Sequence, residues 1–376
     1  MAAGESFDAV VVGGGLIGLA SAWRASQRGL RVCVLERGEP GQGASGTAAG
    51  ILAPDTDTEP GREAFVALAH RSGELYPTFV DDLEAATGHD VGYERCGTLL
   101  VALDRDEVAA VRRELDLHQR LGLTSAWLGA SECRRLEPGL STACAGGLHV
   151  PHEGHVDPRR LVGALVEAIR AGGGEVRGGA EVVRGLVDGR RLRGVATAAG
   201  DEVRAERVVL AGGSWSASAG LATEPPPLRP VKGQIVRLRA PEGALPAERL
   251  VRSEWVYVVP RRNGEVLVGA TVEERGYDTV VTAGGVHELL REAYRALPEI
   301  AELELVEVSA SLRPATPDGN PLVGEWGDEG LVVAVGHYRN GILLTPIPAD
   351  AVAALLAGEA PPPETEPFAP AQGALR

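Results

Sequence analysis

Ala9–Gly18, with the sequence AVVVGGGLIG, decides the fold of this 376-residue chain. Its β-branched run predicts a buried strand, and the apolar stripe from Leu16 to Arg28 predicts a helix. Gly13, Gly15 and Gly18 form a G-x-G-x-x-G motif across this junction. The first glycine permits a tight turn, the second lets a pyrophosphate approach the backbone, and the third lets the helix pack closely on the strand. The motif predicts a dinucleotide site at the helix N-terminus, where unpaired N–H groups favour phosphate.

A carboxylate follows at the distance that a ribose requires. Arg31–Leu35 predicts a second parallel strand, and Glu36 ends it, where its carboxylate can accept from a ribose hydroxyl. A glycine motif alone also occurs in ordinary βαβ units. The strand before it, the helix after it and this acid favour the dinucleotide site.

The whole-chain composition is that of a globular enzyme, with 44% hydrophobic and 24% charged residues. A net charge of −15 without a basic cluster argues against nucleic acid. The widely spaced Cys33, Cys96, Cys133 and Cys144 form no C-x-x-C pair, which argues against a metal site or a disulfide scaffold. No apolar run reaches about 18 residues, and the N-terminus lacks the basic residues of a signal peptide. We therefore expect a cytoplasmic protein without a membrane contact.

Predicted helices and strands alternate in the N-terminal part of the chain, and several consecutive strands follow them. Asp157 and a following proline predict the start of a helix over Pro158–Ala171. Alternating strands separated by turns predict an antiparallel sheet over Gln234–Arg239, Trp255–Pro260 and Glu265–Ala270. Leu331–Val335 predicts a parallel strand, followed by a helix over Ile342–Leu356. The order indicates an α/β domain interrupted by a second, antiparallel one.

Further segments have a composition that suits a flat or polar ligand. Residues 41–52, GQGASGTAAGIL, are small enough to run along such a ligand, although a surface loop has the same composition. Ser309–Gly319 and Gly336–Pro346 each bring an arginine, Arg313 and Arg339, close to a strand end. Most arginines are solvated or paired, so Arg313 could instead pair with an acid such as Asp318 and brace its turn.

Taken together, these segments resemble the FAD-dependent amine and amino-acid oxidase superfamily, which contains D-amino-acid oxidase, sarcosine oxidase and glycine oxidase. The likeness runs from Asp8 to about Leu356. The segments that place the chain in this superfamily are GASGTAAGIL, VVLAGGSWS and PVKGQ. The resemblance is narrowed to the glycine oxidases of thiamine biosynthesis by three more: YVVPRRNGEVLVGAT, SLRPATPDGNPLVG and GHYRNGILLTP. It implies an α/β fold (α+β overall): a doubly wound FAD-binding domain interrupted by an antiparallel-sheet substrate domain. The implied FAD-binding parts are 1–90, 146–225 and 309–360, the substrate parts are 91–145 and 226–308, and 361–376 is expected to be a disordered tail.

The resemblance also implies a set of site residues. Arg313 and Tyr257 match the residues that hold the substrate carboxylate, and Arg339 matches a second substrate contact. The residues matching FAD contacts, together with the glycines of the motif, are Gly13, Gly15, Leu16, Ile17, Gly18, Glu36, Arg37, Ala44, Ser45, Ala49, Gly50, Ile51, Val182, His337, Tyr338, Arg339, Asn340, Gly341, Ile342 and Leu343.

The implied activity is oxidative deamination of glycine or a small amine or amino acid. Hydride transfer to FAD gives an imine, and molecular oxygen then yields hydrogen peroxide; the imine serves thiazole synthesis or hydrolyses to a 2-oxo acid and ammonia. A homo-oligomer is expected. A D-amino-acid or sarcosine oxidase, a dehydrogenase with another acceptor, and a flavoprotein without turnover stay open. An NAD enzyme is disfavoured, because Ala44–Ile51 and the GHYRNG segment have no evident role without a flavin ring.

Several positions depart from the family. Ser311 stands near the position where covalently flavinylated relatives carry a cysteine, so FAD is expected to bind non-covalently. Glu265–Ala270 lacks the lysine that sarcosine oxidases use towards oxygen. Trp255 and Val272 match pocket-lining positions that vary among glycine oxidases. Lys232 could lie near the flavin or serve a structural role.

Overall fold

Two large β-sheets organise this computed structural model, which describes residues 6–56 and 58–370. The strands are β1 Ser6–Val12, β2 Val32–Leu35, β3 Ile51–Leu52, β4 Thr98–Ala102, β5 Ala126–Gly129, β6 Gly146–Val150, β7 Gly154–His155, β8 Glu175–Arg177, β9 Val182–Asp188, β10 Arg191–Thr197, β11 Glu202–Leu210, β12 Arg229–Arg239, β13 Leu250–Arg252, β14 Tyr257–Pro260, β15 Glu265–Gly269, β16 Glu304–Ala315, β17 Leu322–Glu325 and β18 Leu331–Val335. The α-helices are α1 Leu16–Gln27, α2 Ala44–Thr47, α3 Glu63–Thr87, α4 Arg105–Leu121, α5 Ala130–Leu136, α6 Pro158–Ala171, α7 Ala283–Ala296 and α8 Pro346–Ala357. Short 3₁₀ helices cover Gly213–Ala219, Pro298–Glu302 and Pro363–Phe368.

The first sheet contains the βαβ unit that the glycine motif predicts. Its strands run in the order β17-β18-β11-β1-β2-β8, and β9 and β10 extend it from β11. The neighbours from β18 to β8 pair in parallel, whereas β17 is antiparallel. Helices α1, α3, α6 and α8 share one apolar core with this sheet. The carboxyl ends of β1 and β11 therefore meet at one edge, where parallel sheets place their ligand sites.

The second sheet is mainly antiparallel, as the alternating strands predict. Its order is β16-β12-β15-β14-β13-β4-β6-β5, and its own core includes one face of α7. Strand β6 pairs with β4 and β5, so residues 146–150, expected in the FAD-binding domain, lie in this sheet instead. Strand β16 crosses the expected boundary at 309 as one continuous element. We propose that the division into two domains otherwise follows the two sheets.

Two expectations near the C-terminus are wrong. The helix expected over Ile342–Leu356 begins at Pro346, because a proline without an N–H group suits the first helical turn and the preceding residues form turns. Part of the expected disordered tail is ordered: Phe368 in the last 3₁₀ helix is buried in the core of the first sheet. Proline content predicts disorder only where no apolar side chain is buried. Residues 371–376 lie outside the described part of the chain.

Across residues 6–56 and 58–370, no helix combines the length and the apolar character that crossing a membrane requires.

Candidate active site

A cavity of about 550 Å³ lies where the two sheets meet, a size typical of small-molecule sites. It brings together nearly all of the residues that the sequence assigns to cofactor and substrate. Those lining it are Gly13, Gly15, Leu16, Ile17, Glu36, Arg37, Ala44, Ser45, Ala49, Gly50, Ile51, Val182, Tyr257, Arg313, His337, Tyr338, Arg339, Asn340, Gly341 and Ile342.

Two of the expected cofactor residues do not line the cavity. A Cβ at Gly18 would overlap the carbonyl oxygen of Gly13, so this glycine permits close packing of α1 on the preceding turn. Leu343 is buried in the core of the first sheet, and its carbonyl accepts a hydrogen bond from the Ser72 hydroxyl at 2.8 Å. Both residues therefore pack beneath the cavity wall and support residues that line it.

The glycine motif and Glu36 form one end of the cavity. Gly13 has φ +118°, and a Cβ there would overlap Ala211 at the end of β11. The Leu16 N–H at the N-terminus of α1 donates to Ser45 Oγ at 3.0 Å. Glu36 accepts from the N–H groups of Gly14 at 2.7 Å and Gly38 at 3.1 Å. The carboxylate is therefore held by the backbone beside the helix terminus.

Trp215 belongs to this end of the cavity, and the sequence analysis did not single it out. The Arg37 guanidinium lies 3.9 Å from the centre of its ring. Such a cation–π contact fixes both side chains against the cavity wall. The signal in the sequence is the GGSWS turn after β11, which suggests close approach of a ligand but does not indicate a partner for the indole.

Arg313 reaches the cavity from β16, over a gap in the neighbouring strand. A Cβ at Gly233 of β12 would overlap its guanidinium, so only glycine leaves the space. Nη1 donates to the carbonyl of Thr271 at 3.0 Å and lies 3.4 Å from that of Lys232. Burial lowers the pKa of this guanidinium, although an arginine stays charged at neutral pH.

The alternative partner of Arg313 is occupied elsewhere. Asp318 accepts from the N–H of Asn320 at 3.1 Å and from its side-chain amide at 3.1 Å, within its own turn. The pairing of Arg313 with Asp318 is therefore not formed, and the turn is braced locally.

Tyr257 lies over a second glycine. It pairs with Gly269 across β14 and β15, and a Cβ at Gly269 would lie only 2.5 Å from the phenol oxygen. Gly233 and Gly269 thus clear one face of adjacent strands for Arg313 and Tyr257. Glycine inside a strand is a known sign of close approach, and this signal could have found both positions.

The segment after β18 closes another side of the cavity. His337 is 5% exposed, and burial lowers its pKa to about 4, so its ring is neutral at pH 7. Within the described residues its Nε2 has no hydrogen-bond partner. Tyr338 has φ +48°, a left-handed conformation that costs a non-glycine residue of order 1–3 kcal/mol. Its N–H donates to Pro314 at 2.9 Å, which ties this segment to β16.

A cluster of acidic and histidine side chains lies behind the loop that follows β3, and no motif predicts it. Asp55 is fully buried, 2.6 Å from His70 Nε2 and 2.8 Å from His152 Nε2. Burial alone would raise the pKa of Asp55, but hydrogen bonds from His152 and His70 hold it below its ordinary value. Glu153 accepts from the N–H groups of Asp55 and Thr56 at 3.1 and 2.9 Å. These contacts fix the loop that carries Ala53 into the cavity wall.

Some expected pocket residues lie elsewhere. Trp255 and Val272 do not line the cavity; they lie in the connections that follow β13 and β15 and are 58% and 61% exposed. Lys232 is fully buried but does not line the cavity either, because its side chain lies on the other face of β12 from Gly233. Arg252, which the sequence analysis passed over, does line it.

Known proteins resemble this chain in sequence and in architecture. The “Bifunctional protein ThiO/ThiG” of Trichormus variabilis is 38% identical over 351 residues, 92% of this chain and 52% of that protein. The “Glycine oxidase” of Geobacillus kaustophilus is 35% identical over 349 residues, 91% of this chain and 90% of that protein. The crystal structure of glycine oxidase from Geobacillus kaustophilus matches with a TM-score of 0.90 at 34% identity, covering 98% of this chain and 99% of that one.

The chain spans about half the length of the ThiO/ThiG proteins that it matches. A family model described as “FAD dependent oxidoreductase” (DAO) matches residues 8–355, which is nearly the whole chain. The fold class that the sequence implied is thereby confirmed. The chain belongs to the DAO family of FAD-dependent oxidoreductases.

Proposed function

We propose that the chain is an FAD-dependent oxidase of glycine or another small amino acid or amine. The observation that carries this proposal is the position of Arg313, which lines the same cavity as the N-terminus of α1. A cation suited to a carboxylate and a helix terminus suited to a pyrophosphate thus face one chamber. Relatives named glycine oxidase support the same activity.

The cavity fits FAD through several of its residues. Gly15 and Leu16 at the N-terminus of α1 would hold the pyrophosphate, and Glu36 the ribose. The unpartnered Nε2 of buried His337, noted above for the described chain, suits a polar group in the cavity. When bound, FAD supplies a hydride acceptor and passes electrons to oxygen. We propose that it binds non-covalently, because Ser311 lines the cavity near the place of the attachment cysteine.

The substrate would be held mainly by its carboxylate. Arg313 offers the bidentate fork that matches a carboxylate, Tyr257 a hydroxyl from the adjacent strand, and Arg339 a second contact. Binding through the carboxylate orients the amine and Cα without a protein acid or base. Positioning of this kind supplies much of the rate in such reactions.

The overall reaction consumes the amino acid, oxygen and water, and forms a 2-oxo acid, ammonia and hydrogen peroxide. With glycine the 2-oxo acid is glyoxylate. Because some relatives are named ThiO/ThiG, we propose that the imine formed from glycine serves the thiazole of thiamine before it hydrolyses.

An amino-acid panel tests the proposed function. Purified protein is mixed with glycine, N-methylglycine, D-alanine and D-proline, and peroxide is measured together with oxygen uptake. We expect stoichiometric peroxide with at least one of them, and acid precipitation should leave FAD in the supernatant. Flavin reduction without oxygen uptake would instead indicate a dehydrogenase, and flavin in the pellet would contradict non-covalent binding.

Replacing Glu36 by alanine is expected to weaken FAD binding. The change removes charge-assisted hydrogen bonds worth about 1.5–3 kcal/mol, or roughly ten- to a hundredfold in affinity. The variant should lose flavin during dialysis, measured by absorbance per protein. Glu39→Ala is the matched control, since Glu39 is exposed and does not line the cavity. Full retention of flavin by Glu36→Ala would contradict the ribose contact.

The proposal includes a cytoplasmic location, which the free thiols of Cys33, Cys96, Cys133 and Cys144 support. It also includes a homo-oligomer, supported by exposed Leu305, Val306 and Val308 on the edge strand β16.

A further inference from the structure

Residues 271–282, between β15 and α7, form a segment without regular structure beside Arg313. We propose that Lys232 is a positioning residue that fastens this 271–282 segment to β12 and thereby fixes the guanidinium of Arg313 for the substrate carboxylate. The inference rests on the proposed function for the identity of the substrate. The fastening itself rests on contacts within the chain.

Lys232 is the sole lysine of the chain, and its side chain is fully buried. Its Nζ donates to Asp278 Oδ2 at 3.0 Å and lies 3.5 Å from Glu273 Oε2. Its backbone also exchanges two hydrogen bonds with Glu273, at 2.9 and 3.0 Å. One residue of β12 therefore holds the segment by both its main chain and its charge.

The same contacts lead directly to Arg313. Thr271 lies at the start of the segment. Its carbonyl accepts from Arg313 Nη1 at 3.0 Å, and its hydroxyl donates to Glu273 Oε1 at 2.6 Å. Gln234 donates its side-chain amide to the same Glu273 oxygen at 2.7 Å. Thr271 is thus held from two sides: Gln234 donates its N–H to the Thr271 hydroxyl at 2.9 Å, and Glu273, which Lys232 and Gln234 anchor, accepts from the same hydroxyl.

The segment also reaches the first sheet. The Tyr277 hydroxyl donates to the carbonyl of Ser214 at 3.0 Å, and its ring lies 6.1 Å from that of Trp215. Thr279, two residues further along the segment, lines the cavity. The 271–282 segment thus spans from the guanidinium end of the cavity to the side that carries Arg37 and Trp215.

Loss of the lysine charge would leave the Glu273 and Asp278 carboxylates without the ammonium that contacts both of them. Asp278 is partly exposed and can turn to solvent, which would carry the segment away from β12. Thr271 would then keep its bonds to the Gln234 main chain but lose the support of a fixed Glu273, and its carbonyl would hold Arg313 less rigidly. Lys232 does not line the cavity, so its ammonium acts on the substrate only through its neighbours, which are the segment and the β12 main chain beside Arg313.

Lys232→Met tests the inference by two independent measurements. We expect KM for the best amino acid to rise about tenfold or more, while kcat changes less than threefold and flavin content stays at the parent level. We also expect native trypsin cleavage after exposed Arg275, followed by fragment mass, to accelerate at least about tenfold. Arg229→Gln is the matched control: Arg229 joins β12 to Glu274 of the same segment, but this ion pair is exposed and should matter little.

Asp278→Asn covers the case in which Lys232→Met fails to fold, because Asp278 lies at the surface. It should raise KM and cleavage in the same direction by smaller factors. Unchanged KM in either folded variant overturns the positioning role, even where cleavage accelerates. Unchanged cleavage overturns the fastening. If the parent oxidises no amino acid, the proposed function is wrong, but the role of Lys232 can still be tested. Acetate binding, measured from the flavin spectrum, then replaces KM, and the cleavage rates are read as before.

Discussion

Arg313→Ala is expected to lower kcat/KM for glycine, or for whichever amino acid proves best, by about two to four decades. The guanidinium lies over Gly233 at the cavity wall and is largely removed from water, so a carboxylate left there without its partner would be costly. Removing one member of a buried ion pair costs about 3–5 kcal/mol, and 1.4 kcal/mol is about a factor of ten. Steady-state peroxide assays measure the effect. Flavin content and Tm should stay near the parent values.

Arg313→Lys should not restore activity, because an ammonium cannot make two parallel hydrogen bonds to a carboxylate. Arg239→Ala is the matched control: Arg239 is the last residue of β12, is exposed, and donates from its guanidinium to the Asn263 carbonyl at 3.0 Å, away from the cavity. Its kcat/KM should stay within about twofold of the parent. If both Arg313 variants retain flavin and remain within threefold of the parent, the carboxylate role is wrong.

Gly18→Ala is expected to yield protein that is purified largely without FAD and unfolds at lower temperature. The added methyl group would overlap the Gly13 carbonyl and crowd Val11, so α1 must move away from β1. Overpacking of this kind costs about 1–3 kcal/mol, and it displaces the helix terminus that would face the pyrophosphate. Flavin absorbance per protein and differential scanning calorimetry measure the two effects.

Gly163→Ala is the control for this change. Gly163 also lies inside a helix, α6, but nothing lies within 4 Å of the position that its Cβ would take. Alanine there should keep FAD and raise the stability by about 0.5–1 kcal/mol, because glycine is a poor helix former. Parent-like flavin content and Tm in Gly18→Ala would show that close helix–strand packing is not required.

The local elements of the first sheet follow from the sequence alone. Helix α6 begins and ends where predicted, because the Asp157 side chain accepts from the N–H groups of Arg159 and Arg160, and Pro158 suits the first helical position. Strand β18 also has its predicted bounds. Caps, prolines and apolar periodicity act over a few residues, so a sequence displays them directly.

The pairing of strand β6 could not be predicted from the sequence. Its pairing with β4 joins residues about 50 positions apart in the chain, and an apolar strand carries no local signal for its partner. The sequence therefore misplaced residues 146–150 between the two sheets. Phe368 illustrates the same limit, since its burial depends on an apolar core built largely from earlier parts of the chain.

In the candidate site, too, some features follow from local sequence and others depend on the tertiary structure. The sequence by itself determined the βαβ unit, the glycine motif, Glu36 and the likeness that singled out Arg313 and Tyr257, because these lie in contiguous motifs. Only the tertiary structure decided that Gly233 and Gly269 make room for these two side chains, and that Lys232 faces away from the cavity and holds the 271–282 segment. Those relations depend on the register of β12 with β15 and β16. A shift of one residue in that register would move each side chain to the opposite face of the sheet.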